Sequence, residues 1–341
     1  MDLPRIFVCG TGRSGTWILY KALGCHTAIH TFPKEMRFLV DPDGLLDLID
    51  ALTVRYHPVQ ASEALYRFER LLRVYYANPD RSPYLGFDFP GWLGGEFYWE
   101  QVDQFCSTLV DFEYNGKSWQ VESEHEGRLV AYAKRLQGLR YSLEKKPFMP
   151  YRVTLPRNKL KVVKYFPDRN ELVADAAQFV DDLFLNAARM SGKETWCEKT
   201  PQNLLSLEFL WELFPQSIVV HIVRDPRGVA YSLTRQKWAP SDLEGASLML
   251  RSVYSRWFDL KRTIDFSQHR YYEIKLEDFA SSPRNLLSDF ASFCGIDDQF
   301  INLPDIRSDR VDYWKNVMNG QEIQLVNRIL GAYITQLGYE I

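Results

Sequence analysis

The sequence predicts an α/β protein in which helices cover both faces of a parallel sheet. Two largely apolar runs, residues 5–9 and 217–223, have the composition of strands that are buried on both faces. Each run leads into a turn and then a helical segment, and a long amphipathic helix is predicted at residues 171–192. Strands that alternate with helices form parallel sheets, which bind ligands at the carboxyl ends of their strands.

The composition narrows the class of protein. The 341 residues are 46% hydrophobic and 14% aromatic, which is enough for a large core. A net charge of −3 gives no general attraction to nucleic acid, so nucleic acid is not an expected partner. The five cysteines are scattered and form no C-x-x-C pair, which predicts neither a disulfide framework nor a zinc site. Because no apolar run has membrane-spanning length and the first motif begins within ten residues of Met1, we expect a cytoplasmic protein without membrane association.

We interpret residues 1–341 as a single domain in which about 44–165 form an inserted helical cap over the substrate. The cap is predicted from helical periodicity and from an aromatic, glycine-rich stretch at 84–99. Ser62 is a predicted N-cap within it, and Gly192 ends the long helix. The other predicted elements are helices at 18–23, 45–49, 62–76, 203–214, 284–293 and 322–337, a strand at 271–276 and a short element at 29–32.

A glycine-rich turn joins the first strand to the first helix. It reads Gly10-Thr-Gly-Arg-Ser-Gly-Thr-Trp17, an arrangement that directs backbone N–H groups and a helix N-terminus at a phosphate. Gly10 and Gly15 have the spacing of a nucleoside-triphosphatase loop, but Thr16 stands where the lysine belongs and Arg13 lies inside the loop. Without that lysine the loop suits a single 5′-anion better than a triphosphate. The sequence therefore predicts a P-loop-like fold that is not an ATPase.

A second motif follows the strand at 217–223. It reads Arg224-Asp-Pro-Arg-Gly-Val-Ala-Tyr-Ser232, in which Asp-Pro stops the strand and Arg-Gly opens a helix. Arg224 at the strand end and Ser232 two turns into the helix can converge on one anion, the arginine by a bidentate fork and the serine by its hydroxyl.

Both motifs resemble those of the sulfotransferases that use 3′-phosphoadenosine 5′-phosphosulfate (PAPS). The Arg-Ser-Gly-Thr run resembles the 5′-phosphosulfate loop of the bacterial and protein-tyrosine branches, and the spacing of Arg224 and Ser232 resembles the 3′-phosphate segment. Residues 308–316 resemble the late segment that closes over the nucleotide. The resemblance implies PAPS as the cofactor, 3′,5′-adenosine bisphosphate as the product, and no metal. The cofactor-binding residues that it implies are Gly12, Arg13, Ser14, Gly15, Thr16, Trp17, Arg224, Ser232, Ser308 and Lys315.

Sulfuryl transfer needs cations for the charge that develops and a base for the acceptor hydroxyl. Arg13 is one such cation, because the loop itself presents it. Lys199 is the second, in the run Glu-Lys-Thr-Pro-Gln-Asn, where the proline makes the residue before it extended. The sequence therefore predicts Lys199 at a strand-to-helix junction, and the resemblance implies that it contacts the bridging oxygen during transfer.

The base is either a carboxylate or a histidine. Residues 33–38, Pro-Lys-Glu-Met-Arg-Phe, match the Glu-x-Arg step of the protein-tyrosine branch, which implies Glu35 as the base and Arg37 as a substrate-facing residue. A carboxylate within hydrogen-bond reach of a hydroxyl can remove its proton late in transfer. The cytosolic small-molecule branch uses a histidine instead, for which the candidates are His30, His57 and His125.

We predict an enzyme that moves a sulfonate from PAPS to a hydroxyl, or an amine, of a small metabolite or natural product by in-line transfer. A carbohydrate or a peptidyl tyrosine is the alternative acceptor. The aromatic residues at 87–99 favour a partly apolar acceptor, whereas Asp41, Asp43 and the acidic run 122–126 favour a cationic one. A P-loop kinase and a non-catalytic nucleotide-binding protein are the alternatives from other classes. No feature of the sequence indicates an oligomeric state.

Overall fold

Five parallel strands form the central sheet of the computed structural model, which describes residues 3–77, 86–115 and 159–341. Their order is β2-β5-β1-β6-β7, and the parallel sheet predicted from the sequence is confirmed. A separate antiparallel pair is formed by β3 and β4. The strands are β1 (Ile6–Cys9), β2 (Ile29–Thr31), β3 (Val110–Asn115), β4 (Lys159–Val163), β5 (Thr195–Lys199), β6 (Ile218–Val223) and β7 (Arg270–Lys275).

The central strands are buried on both faces, as their apolar composition predicts. Successive side chains of β1 alternate between two cores, so that Phe7 and Cys9 join one cluster while Ile6 and Val8 join the other. Helices therefore cover the sheet on both sides. They are α1 (Thr16–Leu23), α2 (Leu45–Leu52), α3 (Pro58–Arg70), α4 (Phe89–Leu93), α5 (Glu96–Thr108), α6 (Arg169–Met190), α7 (Leu207–Leu213), α8 (Pro226–Leu233), α9 (Leu243–Thr263), α10 (Leu276–Ser281), α11 (Pro283–Cys294), α12 (Tyr313–Val317) and α13 (Gly320–Gln336).

Two local expectations from the sequence are wrong. Helix α3 begins at Pro58, so Ser62 is not its N-cap but lies one turn inside, where its hydroxyl donates to the Pro58 carbonyl at 2.8 Å. Proline starts a helix well because its fixed φ is already helical and its missing N–H is not needed there. The single helix expected at 203–214 is divided at Ser206, whose backbone is not helical, into a 3-10 turn (Pro201–Leu205) and α7.

Helix α9 and the β3–β4 pair are less evident from the sequence than the other elements. Helix α9 begins with Asp242, whose carboxylate accepts the Gly245 N–H at 2.7 Å, and buries Leu250, Tyr254 and Trp257 at helical spacing. Strands β3 and β4 lie far apart in the chain, and β3 is mostly exposed, so the alternation that usually reveals a strand is weak.

The described part of the predicted cap shares a core with the sheet. Leu48 of α2, Leu65 of α3 and Phe105 of α5 belong to the same apolar cluster as Phe7 of β1. The aromatic residues at 87–99 contribute to it, and Phe89 and Tyr98 are fully buried. These two rings therefore pack the core, and the cap at 44–165 remains a prediction. In the described ranges, none of the helices combines the length and apolarity that crossing a bilayer requires.

A partly buried carboxylate fixes helix α6 to the sheet. Asp181 accepts the Trp196 indole N–H at 2.8 Å and the Arg5 guanidinium at 2.7 and 2.6 Å. Trp196 is itself fully buried against Phe7 and Phe184. Because β5 and β1 meet here, this contact supports the two strands that lead into the predicted site.

We expect Asp181→Ala to lower the free energy of unfolding by about 2–4 kcal/mol, because it leaves a buried indole N–H and a partly buried guanidinium without their acceptor. Urea unfolding measures the change. Asp182→Ala is the matched control, since that neighbouring carboxylate accepts a hydrogen bond from Gln178 on the outer side of the helix. Equal losses for the two variants would contradict the assignment.

Candidate active site

The glycine-rich loop turns sharply between β1 and α1. Gly12, Arg13 and Gly15 all have left-handed backbone angles, with φ of 74°, 57° and 103°. Turns of this kind create concave arrays of N–H groups that bind anions. A Cβ on Gly15 would lie 2.6 Å from the Leu276 side chain, so the loop packs tightly against α10. The predicted strand, loop and helix are thus present in the expected order.

Ser14 is the most enclosed polar residue of this loop. Its side chain is fully buried, and its hydroxyl has no hydrogen-bond partner among the described residues. A Cβ on Gly10 would lie 2.4 Å from that hydroxyl and 2.8 Å from the Ile222 carbonyl. Gly10 therefore leaves the space that Ser14 needs, and the buried hydroxyl keeps a hydrogen bond available for a ligand oxygen or a water.

The second motif lies against the loop. Asp225 accepts the Arg227 N–H at 2.9 Å and starts α8, as the sequence predicts. Arg13 donates from Nε to the Ser232 hydroxyl at 3.1 Å, and Arg224 donates to the Arg13 carbonyl at 3.3 Å. Residues that are 219 positions apart in the sequence are therefore brought together at one end of the sheet.

Arg224 is held in place by backbone carbonyls. Its guanidinium donates to the carbonyls of Val311 at 2.7 Å and Arg310 at 3.1 Å, which ties the late segment to β6. Its Nε is buried and unpaired among the described residues, and burial lowers the pKa of this guanidinium. An anion bound here would accept a hydrogen bond from Nε and would also stabilise the buried positive charge.

A cavity of about 590 Å³ opens beside these residues, and its charged lining is mostly cationic. Arg235, Arg307 and Arg310 contribute to it and were missed in the sequence, although Arg310 lies inside the late motif. Ser308 and Lys315 are exposed, and Lys315 forms an ion pair with Asp312 at 3.0 Å. The cavity is lined by Arg13, Arg224, Gly228, Tyr231, Ser232, Arg235, Arg307, Asp309, Arg310, Tyr313 and Trp314.

Lys199 and Glu35 form an ion pair at the carboxyl end of β5. The Lys199 ammonium lies 2.6 Å from the Glu35 carboxylate and 5.1 Å from the centre of the Trp17 ring. Lys199 is buried, whereas a quarter of the Glu35 side chain is exposed. The expected strand-to-helix junction is present, because β5 ends at Lys199 and a 3-10 turn begins at Pro201.

Arg37 lies beside this pair and is itself ion-paired. Its guanidinium is 3.8 Å from the Glu35 carboxylate and donates to Asp41 at 2.7 Å. Asp41 is buried and also accepts the Tyr76 hydroxyl at 2.9 Å. Asp43 is paired with Arg67, so the two acidic residues that favoured a cationic acceptor already have cationic partners.

Glu198 is a carboxylate that sequence reasoning missed. It is fully buried next to Lys199 and accepts hydrogen bonds from the Met36 N–H, the Thr200 hydroxyl and the Asn203 amide. Burial raises its pKa to about 7. Two of its donors, Thr200 and Asn203, follow it in the Glu-Lys-Thr-Pro-Gln-Asn run, whereas Met36 is distant in the sequence.

Two of the three candidate histidines, His30 and His57, lie within the described residues. His30 is on β2, where its ring packs edge-on against Phe32, and burial lowers its pKa to about 4. His57 is exposed at the start of α3. His125 and the acidic run 122–126 lie outside the described residues. Among the residues described, no three His, Cys, Asp or Glu side chains are grouped as a metal would require, and all five cysteines are free thiols.

Comparison with known proteins identifies the same family that the motifs resemble. The profile of the sulfotransferase family matches residues 104–300, which is more than half of the chain. Two relatives, both omega-hydroxy-beta-dihydromenaquinone-9 sulfotransferases Stf3, from Mycobacterium bovis and Mycobacterium tuberculosis, are 27% identical over 172 residues. The match covers 46% of this chain and 44% of each relative, so it spans less than half of their length.

Two solved structures are similar to the whole chain. The sulfotransferase domain of the Synechococcus PCC 7002 olefin synthase has a TM-score of 0.48 at 16% identity and is covered over 97% of its length. The sulfotransferase domain from the curacin biosynthetic pathway has a TM-score of 0.46 at 15% identity, with full coverage of both chains. On the strength of the profile match, this chain belongs to the sulfotransferase family.

Proposed function

We propose that the protein transfers a sulfonate from PAPS to a hydroxyl of a small molecule. The observation that supports this most directly is the meeting of three elements at one end of the sheet. The loop and the Arg224 motif share the contact between Arg13 and Ser232, and β5 ends beside them in the pair of Lys199 and Glu35. Two anion sites beside a cation–carboxylate pair match what sulfuryl transfer to a hydroxyl requires.

The residues present fit the two ends of this nucleotide. The loop, with its left-handed turn and the unsatisfied Ser14 hydroxyl, would hold the 5′ side. Arg224, with its spare Nε, and Ser232 would hold the 3′-phosphate, and the arginines of the cavity extend that positive wall. When bound, PAPS supplies an activated sulfonate and leaves as the bisphosphate.

Glu35 and Lys199 have different roles in the proposed transfer, one as the base and the other as a cation. Glu35 is exposed enough to accept the proton of an acceptor hydroxyl, whereas Lys199 is buried and presents its ammonium as a fixed cation. Arg13 adds a second cation from the loop. The ion pair holds both groups in place, because each desolvated charge is stabilised by the other.

A small-molecule acceptor is favoured by the two Stf3 relatives, which are omega-hydroxy-beta-dihydromenaquinone-9 sulfotransferases. Asp41 and Asp43 are paired with arginines, which weakens the argument for a cationic acceptor, while the acidic run 122–126 lies outside the described residues. We therefore propose an apolar small molecule that carries a free hydroxyl. Incubation with ³⁵S-labelled PAPS and a panel of such alcohols tests this, and failure to label any hydroxyl would contradict the proposal.

We expect Arg224→Ala to weaken binding of 3′,5′-adenosine bisphosphate by about 2–4 kcal/mol, because it removes a positive charge and its spare Nε donor from the proposed 3′-phosphate site. Ser232→Ala should cost about 1 kcal/mol. Titration calorimetry measures both, with Arg251→Ala on the exposed side of α9 as the control.

A dissociation constant within about twofold of wild type for Arg224→Ala would contradict the 3′-phosphate assignment. The same titration with ATP and magnesium tests the kinase alternative. Tight binding of ATP together with no binding of the bisphosphate would contradict the sulfotransferase proposal and favour a kinase.

We expect Glu35→Gln to lower kcat by about 10²–10⁴ while leaving bisphosphate affinity unchanged, because the amide can hydrogen-bond but cannot accept a proton. Steady-state transfer assays combined with calorimetry separate the two effects. Glu244→Gln, an exposed acid in the first turn of α9, is the control. More than a third of wild-type turnover in Glu35→Gln, together with loss of turnover in His57→Ala or His125→Ala, would show that a histidine is the base.

A further inference from the structure

The Glu198 carboxylate is unusual because it is fully buried and has no ion pair among the described residues. A buried carboxylate carries a large desolvation cost unless hydrogen bonds or a cation offset it. Here the compensation comes from three donors, the Met36 N–H at 3.0 Å, the Thr200 hydroxyl at 2.6 Å and the Asn203 amide at 2.7 Å.

The three donors belong to the two segments that carry the pair of Glu35 and Lys199. Met36 directly follows Glu35, and its N–H belongs to the peptide that joins the two residues. Thr200 directly follows Lys199. The same carboxylate oxygen accepts from both, so one atom joins the segment of the proposed base to the segment of the proposed cation.

The third donor holds the carboxylate itself in position. Asn203 lies in the 3-10 turn after β5 and donates to the other oxygen of Glu198. It is fully buried, so water does not compete for the amide. The Glu35 segment has no strand or helix of its own at this point, since the next 3-10 turn begins at Arg37. The bond to Met36 therefore fixes backbone that has no other regular structure.

We propose that Glu198 is a positioning residue, which holds the Glu35 backbone at a set distance from Lys199 so that the base and the cation act together. This inference rests on the proposed roles of Glu35 and Lys199. Glu198 has no exposed surface, so it acts through Glu35 and not on the substrate. The hydrogen bond from the Met36 N–H to Glu198 is the contact on which this role depends. It matters because a shift of about 1 Å at a reacting group can lower the rate by about 10²-fold.

Two substitutions distinguish the effect of the length of the Glu198 side chain from the effect of its charge. Glu198→Asp keeps the carboxylate but is one methylene shorter. It can still accept hydrogen bonds from Thr200 and Asn203, which are on its own segment, but it no longer reaches the Met36 N–H. Glu198→Gln keeps the length, and its carbonyl oxygen can accept from Met36 and Thr200. The Asn203 amide can then turn so that its unpaired oxygen accepts from the new side-chain amide.

We expect Glu198→Asp to lower kcat by about 10- to 100-fold with bisphosphate affinity within twofold of wild type, and Glu198→Gln to retain kcat within about threefold. Transfer assays, calorimetry and thermal unfolding are measured on each variant. Glu212→Asp is the matched control, because it shortens a carboxylate that pairs with Arg169 away from this site. That change should alter stability and leave kcat unchanged.

A kcat within twofold of wild type for folded Glu198→Asp would overturn the inference, as would Glu198→Gln being as impaired as the shorter variant. These outcomes differ from failure of the proposed function. In that case the wild-type protein would transfer no sulfonate, or Glu35→Gln would keep full turnover, whatever the Glu198 variants do.

Discussion

The register of the three central strands is the constraint on which the candidate site depends. Val8 of β1 pairs with Lys199 of β5, and Cys9 pairs with His221 of β6. Parallel strands in register end at one edge of the sheet. The glycine-rich loop, Lys199 and the Arg224 motif, which follow these strands, are therefore delivered to one edge although they lie far apart in the sequence. A slip of one residue would turn every side chain of a strand to the opposite face.

Local concentration of charge, rather than net charge, gives this edge its chemistry. The chain as a whole carries −3, yet five arginines line the cavity beside the loop and only one acidic residue, Asp309, joins them. Lys199, the buried cation on the other side of the loop, differs from these arginines because it forms an ion pair with the Glu35 carboxylate at 2.6 Å. A cavity with this lining favours anionic ligands.

The sequence predicted those parts of the structure that short-range rules determine. Buried parallel strands are recognisable from largely apolar runs, and the turns after them from glycine, proline and aspartate, so β1, β6, the loop and the start of α8 were all expected. The start of α3 was misplaced because Ser62 and Pro58 both carry start signals and the proline prevails. The expected roles of the site residues remain predictions.

Contacts between distant segments could not be predicted in the same way. The network of Glu198 joins residues 162 positions apart, and no local pattern distinguishes a buried carboxylate from a solvated one. Arg307 and Arg310 line the cavity because Arg224 donates hydrogen bonds to backbone carbonyls of the late segment. Every residue has a backbone carbonyl, so the sequence does not reveal which ones Arg224 contacts. Partners of this kind depend on the packed fold.

A crystal structure with 3′,5′-adenosine bisphosphate tests the central claim most directly. The account predicts the 5′-phosphate on the backbone of the loop with the Ser14 hydroxyl in contact, and the 3′-phosphate on Arg224 and Ser232. Lys199 and Glu35 would then lie beside the 5′ end, open to an acceptor. Density for the nucleotide elsewhere on the molecule, or for its two phosphates away from both motifs, would contradict the account.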